Sequence, residues 1–226
     1  MKLDRPLLVI DVETTGLHPD RNQVLSVGVV VVNRYLLKTF EMEYKVNLDN
    51  PFEVLRAEYR RAQKVHGIST RDALFGGEPL EDVVYYLETL AKQYPDALIA
   101  GNNVGFDYAF VKRMFEMVDK KCPFDYHLVD LTGLAAVHLG IVSLAKIMDA
   151  LGIDKSKYTK HSAIGDAEAT ADALIALLKM LRKDEDEKAA LLAATLAQQK
   201  MRSELENEVE FYKAESGTLL DENEKE

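Results

Sequence analysis

The chain of 226 residues contains a single cysteine, Cys122, and no tryptophan. One thiol can neither close an internal disulfide nor build a thiolate zinc cluster alone, so a reducing compartment is expected and the fold has to be held by packing. Long apolar runs are missing too: Val27 to Val32 falls far short of the ~18 residues that a membrane-spanning helix needs. The opening Met1-Lys2-Leu3-Asp4-Arg5-Pro6 lacks the apolar stretch and small-residue cleavage site of a secretion signal, so a cytoplasmic location with no membrane contact is expected. Positive charge is scarce. Against 38 acidic side chains stand 28 basic ones, a net charge of −10, which is the wrong sign for a polyphosphate partner. The deficit is local, because 6 basic and 13 acidic side chains lie between Lys183 and Glu226, leaving only −3 for residues 1–182.

What is present has the order of an α/β layer fold. Residues 7–12 and the valine-rich residues 24–32 read as buried strands, and Leu36 to Val46 as a third. Asn33-Arg34 leaves so little chain between the second and third that a hairpin follows, making the opening a three-stranded antiparallel meander. Asn50-Pro51-Phe52-Glu53 supplies an N-cap, a proline at the first helical position and an acid at the third, which predicts a helix to about Lys64. A further helix is expected from near Pro79, a strand over 96–100, a helix over 107–120 and a short strand over 127–130. Helices over 132–139, 143–151 and 166–182 complete the set, the last with Ala167, Ala171, Leu174, Leu178 and Leu181 at core spacing.

At Lys183 to Lys188 the composition turns to a charge run, after which no strand signal and no proline follow. This divides a domain of residues 1–182 from an acidic helical extension, 183–226. Within the extension Ala194, Met201, Leu205 and Tyr212 form a sparse apolar seam that needs a surface to pack on, either its own domain or a partner's. The residues from Glu215 onward read as disordered.

Three clusters carry the chemistry. Asp11-Val12-Glu13-Thr14-Thr15-Gly16-Leu17 puts two acids at the end of an apolar strand, and residues two apart in a strand share a face. Their repulsion would raise both pKa values unless a cation lay between them. Thr14, Thr15 and Gly16 let backbone donors approach an anion. Taken alone, the pair equally describes a solvated turn. The second cluster is Gly101-Asn102-Asn103-Val104-Gly105-Phe106-Asp107, where Asp107 at the start of a helix could also be a simple N-cap. In the third, His161-Ser162-Ala163-Ile164-Gly165-Asp166-Ala167, the histidine stands five residues before an aspartate expected to open the last helix. Together the acids form an oxygen-rich set suited to Mg²⁺ or Mn²⁺ rather than Zn²⁺.

In this order and at these intervals the three clusters resemble the motifs of DnaQ-like 3′ to 5′ exonucleases of the Asp-Glu-Asp-Asp type with histidine, over roughly residues 7 to 182. Leu144-Ala145 through Leu151-Gly152-Ile153 resembles the helix leading to the third motif, and Val65-His66-Gly67-Ile68 the His-Gly-Ile segment of the proofreading branch. The resemblance implies a ribonuclease H-like mixed five-stranded sheet flanked by helices. It also implies two bound ions: Asp11 bridging them, Glu13 and Asp166 on the ion carrying the attacking water, and Asp107 on the other, chiefly through water. His161 would take the proton from that water, and a 5′-nucleoside monophosphate would leave a 3′ end. His66 and Phe106 would hold the terminal base, while Thr14, Thr15 and Asn103 would contact its sugar or phosphate.

The expected function is a metal-dependent 3′ to 5′ exonuclease acting on single-stranded or frayed DNA ends, DNA being favoured by the His-Gly-Ile segment. An RNA exonuclease or oligoribonuclease is the nearest alternative. A third reading is a non-catalytic interaction protein that binds a polymerase, another partner or a second copy through the C-terminal helix.

Overall fold

The first apolar run forms strand β1 (Leu7–Thr14) in the computed structural model, which describes residues 3–183 and 195–196. Strand β2 (Val24–Val32) lies antiparallel to it with all nine residues buried. Strand β3 (Lys38–Lys45) completes the meander as an edge strand, largely exposed, whose Lys38, Glu41, Glu43 and Lys45 discourage further pairing. On the other side β4 (Leu98–Gly101) runs parallel to β1, and β5 (Leu128–Asp130) parallel to β4, giving the order β3-β2-β1-β4-β5. This is the expected mixed five-stranded sheet, and β1 is its centre.

Alternation along β1 sorts its side chains between two faces. Leu8, Ile10 and Val12 join Val27, Val29 and Val31 of β2 in one apolar cluster with helices α3 (Leu80–Gln93) and α4 (Val104–Met117). Phe110 and Phe115 of α4 sit in that cluster fully enclosed, and truncating either to alanine would cost ~3–5 kcal/mol. The opposite face carries Leu7, Val9, Asp11 and Glu13. Helix α7, which starts at residue 163, covers this face with a row of small buried residues, Ala163, Ala167 and Ala171. Helices α5 (Leu131–Leu139) and α6 (Leu144–Ala150) precede it.

The chain divides into the compact units Met1–Leu177 and Leu178–Glu226. Residues 178–183 of the second unit are helical. The apolar seam of Ala194, Met201, Leu205 and Tyr212, and the acidic end from Glu215, lie outside the described residues. Among the described residues no single helix is long and apolar enough to cross a membrane. Cys122 is free and half-buried, and burial pushes its thiol pKa up.

Several local features differ from the sequence expectation. The β2–β3 connection uses five residues: Asn33 accepts the N–H groups of Tyr35 and Leu37 through its side chain, and Leu36 adopts φ 61° so that its side chain can be buried. The helix expected from Asn50 to Lys64 is two pieces. Asn50 does cap, accepting the Phe52 N–H at 3.1 Å, but it caps a 3-10 turn, Pro51–Leu55. Arg56 then leaves helical space (φ −73°, ψ 146°) and α1 (Ala57–His66) begins. The break turns Glu53 inward, where it is only 2% exposed and pairs with Arg56 at 2.6 Å. A short helix not expected from the sequence, α2 (Thr70–Phe75), is capped by Ser69, whose hydroxyl accepts the Asp72 N–H at 3.0 Å. Helices α4 and α7 start three residues earlier than expected, so Asp107 and Asp166 sit in their first turns instead of opening them.

Candidate active site

Strands β1 and β4 pair only from Leu7↔Leu98 to Val9↔Ala100, and beyond that register they part. The crevice left at the carboxyl ends of parallel strands is where an open α/β sheet accepts ligands. Asp11 and Glu13 lie on the part of β1 beyond the pairing. Opposite Asp11 in β2 is Gly28. A glycine inside a valine strand marks close approach, and here a Cβ on Gly28 would lie 2.1 Å from the carbonyl oxygen of Ala163. The start of α7 therefore rests directly on the strand, and its first turn brings Asp166 to the two acids of β1. Carboxylate oxygens of Asp11, Glu13 and Asp166 all lie within 4.8 Å of one another.

Asp107 approaches from α4. Its Oδ1 accepts the backbone N–H of Val12 at 2.9 Å, satisfying a donor of β1 that has no strand partner on that side. Asn103, the residue before α4, is exposed and left-handed (φ 59°), and its N–H donates to Asp130 Oδ1 at 3.3 Å. Asp130 also caps α5 by accepting from the backbone of Thr132 and Gly133.

Crowding of these carboxylates shows in their protonation. Burial, then the charges of Asp107, Asp166 and Glu13, hold the Asp11 pKa well above the carboxylate range. Glu13 is pushed up to about 7 by burial, Asp166 and Glu43. Burial also raises Asp107 to about 7 despite the N–H of Val12. Asp166 is raised by burial, with His161 opposing. An all-oxygen cluster of mutually repelling acids fits a hard divalent cation, which would relieve both the repulsion and the desolvation.

His161 stands on the exposed loop before α7 with φ 56°. The loop closes tightly onto the helix: the Ser162 hydroxyl accepts the Gly165 N–H at 3.1 Å, and a Cβ on Gly165 would lie 2.1 Å from the Thr159 carbonyl oxygen. The third motif thus needs its glycine.

Beside the acids opens a pocket of about 380 Å³, lined among others by Glu13, Leu17, Arg61, Val65, His66 and Phe106. His66 is buried, and its Nδ1 accepts the Ile68 N–H at 2.9 Å, which leaves the proton of the neutral ring on Nε2. Nε2 has no hydrogen-bond partner, and burial lowers the ring's pKa. Phe106 packs at 4.9 Å between ring centroids on Phe110. Thr14 also lines the pocket, its hydroxyl donating to the Gly16 carbonyl at 2.6 Å. Thr15 is fully buried. Its hydroxyl donates to Glu53 and accepts the Gln23 N–H, so the side chain ties down the loop after β1. Gly28 and Asp130 were not among the residues singled out from sequence, and Glu53 was read there only as a helix-starting acid. The signals for them were a glycine interrupting a valine run and an aspartate two residues before Thr132 at a strand end.

The family model described as Exonuclease (RNase T) matches residues 8–174. The chain therefore belongs to this exonuclease family. Ribonuclease T of Marinobacter nauticus is 29% identical over 188 residues, which cover 78% of this chain and 83% of that one. Ribonuclease T of Shewanella frigidimarina is 30% identical over 185 residues, covering 73% and 78%. The PolC-type DNA polymerase III of Thermotoga maritima is 26% identical over 185 residues, 80% of this chain but only 12% of the polymerase. Among solved structures, Escherichia coli Exonuclease I in complex with a dT13 oligonucleotide superposes with a TM-score of 0.62 at 21% identity. That match covers 82% of this chain and 43% of Exonuclease I, and it shows the shared fold. The resemblance read from the three motifs is thus upheld at the level of family and fold.

Proposed function

We propose that this protein removes nucleotides one at a time from the 3′ end of a single strand, releasing 5′-monophosphates. The observation that carries the reading is the convergence of Asp11, Glu13 and Asp166 within 4.8 Å beside a pocket of nucleotide size. Asp11, Glu13 and Asp166, with Asp107 adjoining, are the residues to hold divalent cations, two Mg²⁺ or Mn²⁺ ions in our reading. When bound, such a pair supplies Lewis acidity at both the entering and the leaving oxygen of an in-line displacement at phosphorus. His161, exposed on its loop, accepts the proton of the attacking water on a ring nitrogen. Phe106 and His66 seat the terminal base, Thr14 and Asn103 border its sugar and phosphate, and Thr15 acts on them by fixing the loop. Residues 1–182 hold all of these groups. We assign the acidic extension, 183–226, to protein contacts, with a polymerase or a second copy as partner, and the location to the cytoplasm.

The substrate is DNA in the reading that rests on Val65 to Ile68. RNA is the second reading, favoured by the two relatives named ribonuclease T that this chain matches over most of their length. Five intact site residues argue against a non-catalytic role. Digestion of matched 3′- and 5′-labelled DNA and RNA single strands with Mg²⁺ or Mn²⁺ tests the whole reading. Mononucleotides released from the 3′ end are expected, and a product ladder shortening from the 5′ end, or no product, would refute it.

A further inference from the structure

The wall of the pocket formed by α1 includes Glu58, Arg61, Ala62 and Val65. At 100° per residue the positions met from Arg61, going round the helix away from the pocket, are the small Ala57 at the start of α1, then Lys64 and Arg60. Arg61, Lys64 and Arg60 thus share one sector of about 100° that begins at the pocket wall, with only the methyl of Ala57 between them. All three are exposed, and none has an ion-pair partner among the described residues. The neighbouring cations do: Arg56 pairs with Glu53 at 2.6 Å and Arg21 with Glu58 at 3.9 Å. Unpaired cations next to a cluster of four acids, in a chain of net charge −10, are available to an anion. At the pocket, Leu17 (75% exposed) and Val65 (59% exposed) offer apolar surface to a base. Cations leading away from a pocket that also holds the aromatic Phe106 have the composition of a single-strand track.

We infer that Arg61, Lys64 and Arg60 form a rail for the upstream phosphates of the strand whose 3′ nucleotide occupies the pocket. The inference rests on the proposed function and adds a length requirement: three rail phosphates behind the one at the acids make the preferred ligand a single strand of about five nucleotides or more. The acids repel every phosphate except the one they hold through cations, so the phosphates behind it must leave over a positive surface. Arg61 lines the same pocket as Glu13 and Phe106, which places the exit on α1. Lys157 and Lys160, exposed on the loop before His161, do not line it.

The test is the salt dependence of binding. Affinity of a fluorescent eight-nucleotide strand is read by anisotropy between 50 and 200 mM salt, with Ca²⁺ in place of Mg²⁺, for the wild type and for Arg60→Gln/Arg61→Gln/Lys64→Gln. Each phosphate contact to a single strand contributes ~0.7 to the slope of log K against log salt, so losing three should flatten it by about 2. In Mg²⁺ the same variant should raise KM for the octamer at least tenfold, raise that for a dinucleotide far less, and change kcat little. An unchanged slope would overturn the rail. So would a flattening produced instead by Lys157→Gln/Lys160→Gln, which puts the exit beside His161. A wild type that binds with the expected slope but releases no mononucleotide in Mg²⁺ or Mn²⁺ would refute the proposed function and leave the rail standing.

Discussion

Replacing Asp11 by asparagine should stabilise the metal-free protein while abolishing its activity. The oxygens of Asp11, Glu13 and Asp166 approach within 4.8 Å, and at an effective dielectric of ~20 two unit charges at that distance repel by about 3.5 kcal/mol. Asp11 either stays charged against this repulsion or holds a proton that the unfolded chain would have lost, and folding near pH 8 is weakened in both cases. Partial protonation shares the strain, so asparagine should recover ~2–4 kcal/mol at pH 8, or ~5–15 °C in Tm for a chain of this size. The pH dependence has a definite sign. A carboxyl whose folded pKa is raised contributes its stability below the unfolded value of ~3.9 and loses it as pH rises toward the folded value. By pH 5 only about one unit separates the solution from the unfolded pKa, so the gain should fall to ~1.5 kcal/mol or less. The wild type in EDTA should accordingly melt lower at pH 8 than at pH 5, with Glu13 at about 7 adding to the loss. Mg²⁺ should reverse the ranking, because only the wild type keeps the full ligand set and gains from binding. Thermal melts at both pH values, with EDTA and with Mg²⁺, read all four cases. An asparagine variant less stable than the wild type at pH 8 in EDTA would refute the account of Asp11 as a strained, cation-requiring acid.

Gly28→Ala sets a Cβ 2.1 Å from the Ala163 carbonyl and must lift the start of α7. A loss of ~1–3 kcal/mol and of ~10²-fold in kcat is expected, to be read from urea unfolding and turnover, and an active, stable variant would show that α7 need not touch β2 there. His161→Ala should lower kcat by ~10²–10⁴-fold with cation affinity by calorimetry unchanged; an equal loss of affinity would make His161 a ligand. Truncation after Arg182 should leave turnover of a short strand near normal, and a loss of turnover without change in sedimentation or Tm would place the extension in the active site.

The antiparallel meander and the first motif were legible because the first half of β1 and nearly all of β2 are apolar, and Asp11 and Glu13 at the end of β1 stand out against that background. Positions that depend on distant contacts were not. Arg56 breaks the helix after Asn50 because Glu53 is drawn under the loop of Thr15, 38 residues away in sequence. The hydroxyl of Thr15 reads as an anion contact in its motif, yet it is used to hold Glu53 and Gln23. Asp107 and Asp166 look like caps because acids favour first turns; the position before each helix is held instead by Ser162, whose hydroxyl accepts the Gly165 N–H, and by the left-handed Asn103, which makes no side-chain cap, and each acid lies most of a turn further in.

The sheet order has a consequence for synthesis of the chain. The strand made first, β1, becomes the middle of the sheet, and the acids it carries wait for a partner 153 residues later, since Asp166 arrives only after Ala163 can settle on Gly28. A nascent chain can pair β1, β2 and β3 early, because those contacts are local, yet the acids proposed to hold the cations are not all present until the first turn of α7 has left the ribosome. On the proposed role of Asp166 the protein would be silent for most of its own translation, and a chain terminated before residue 166 should show no nuclease activity.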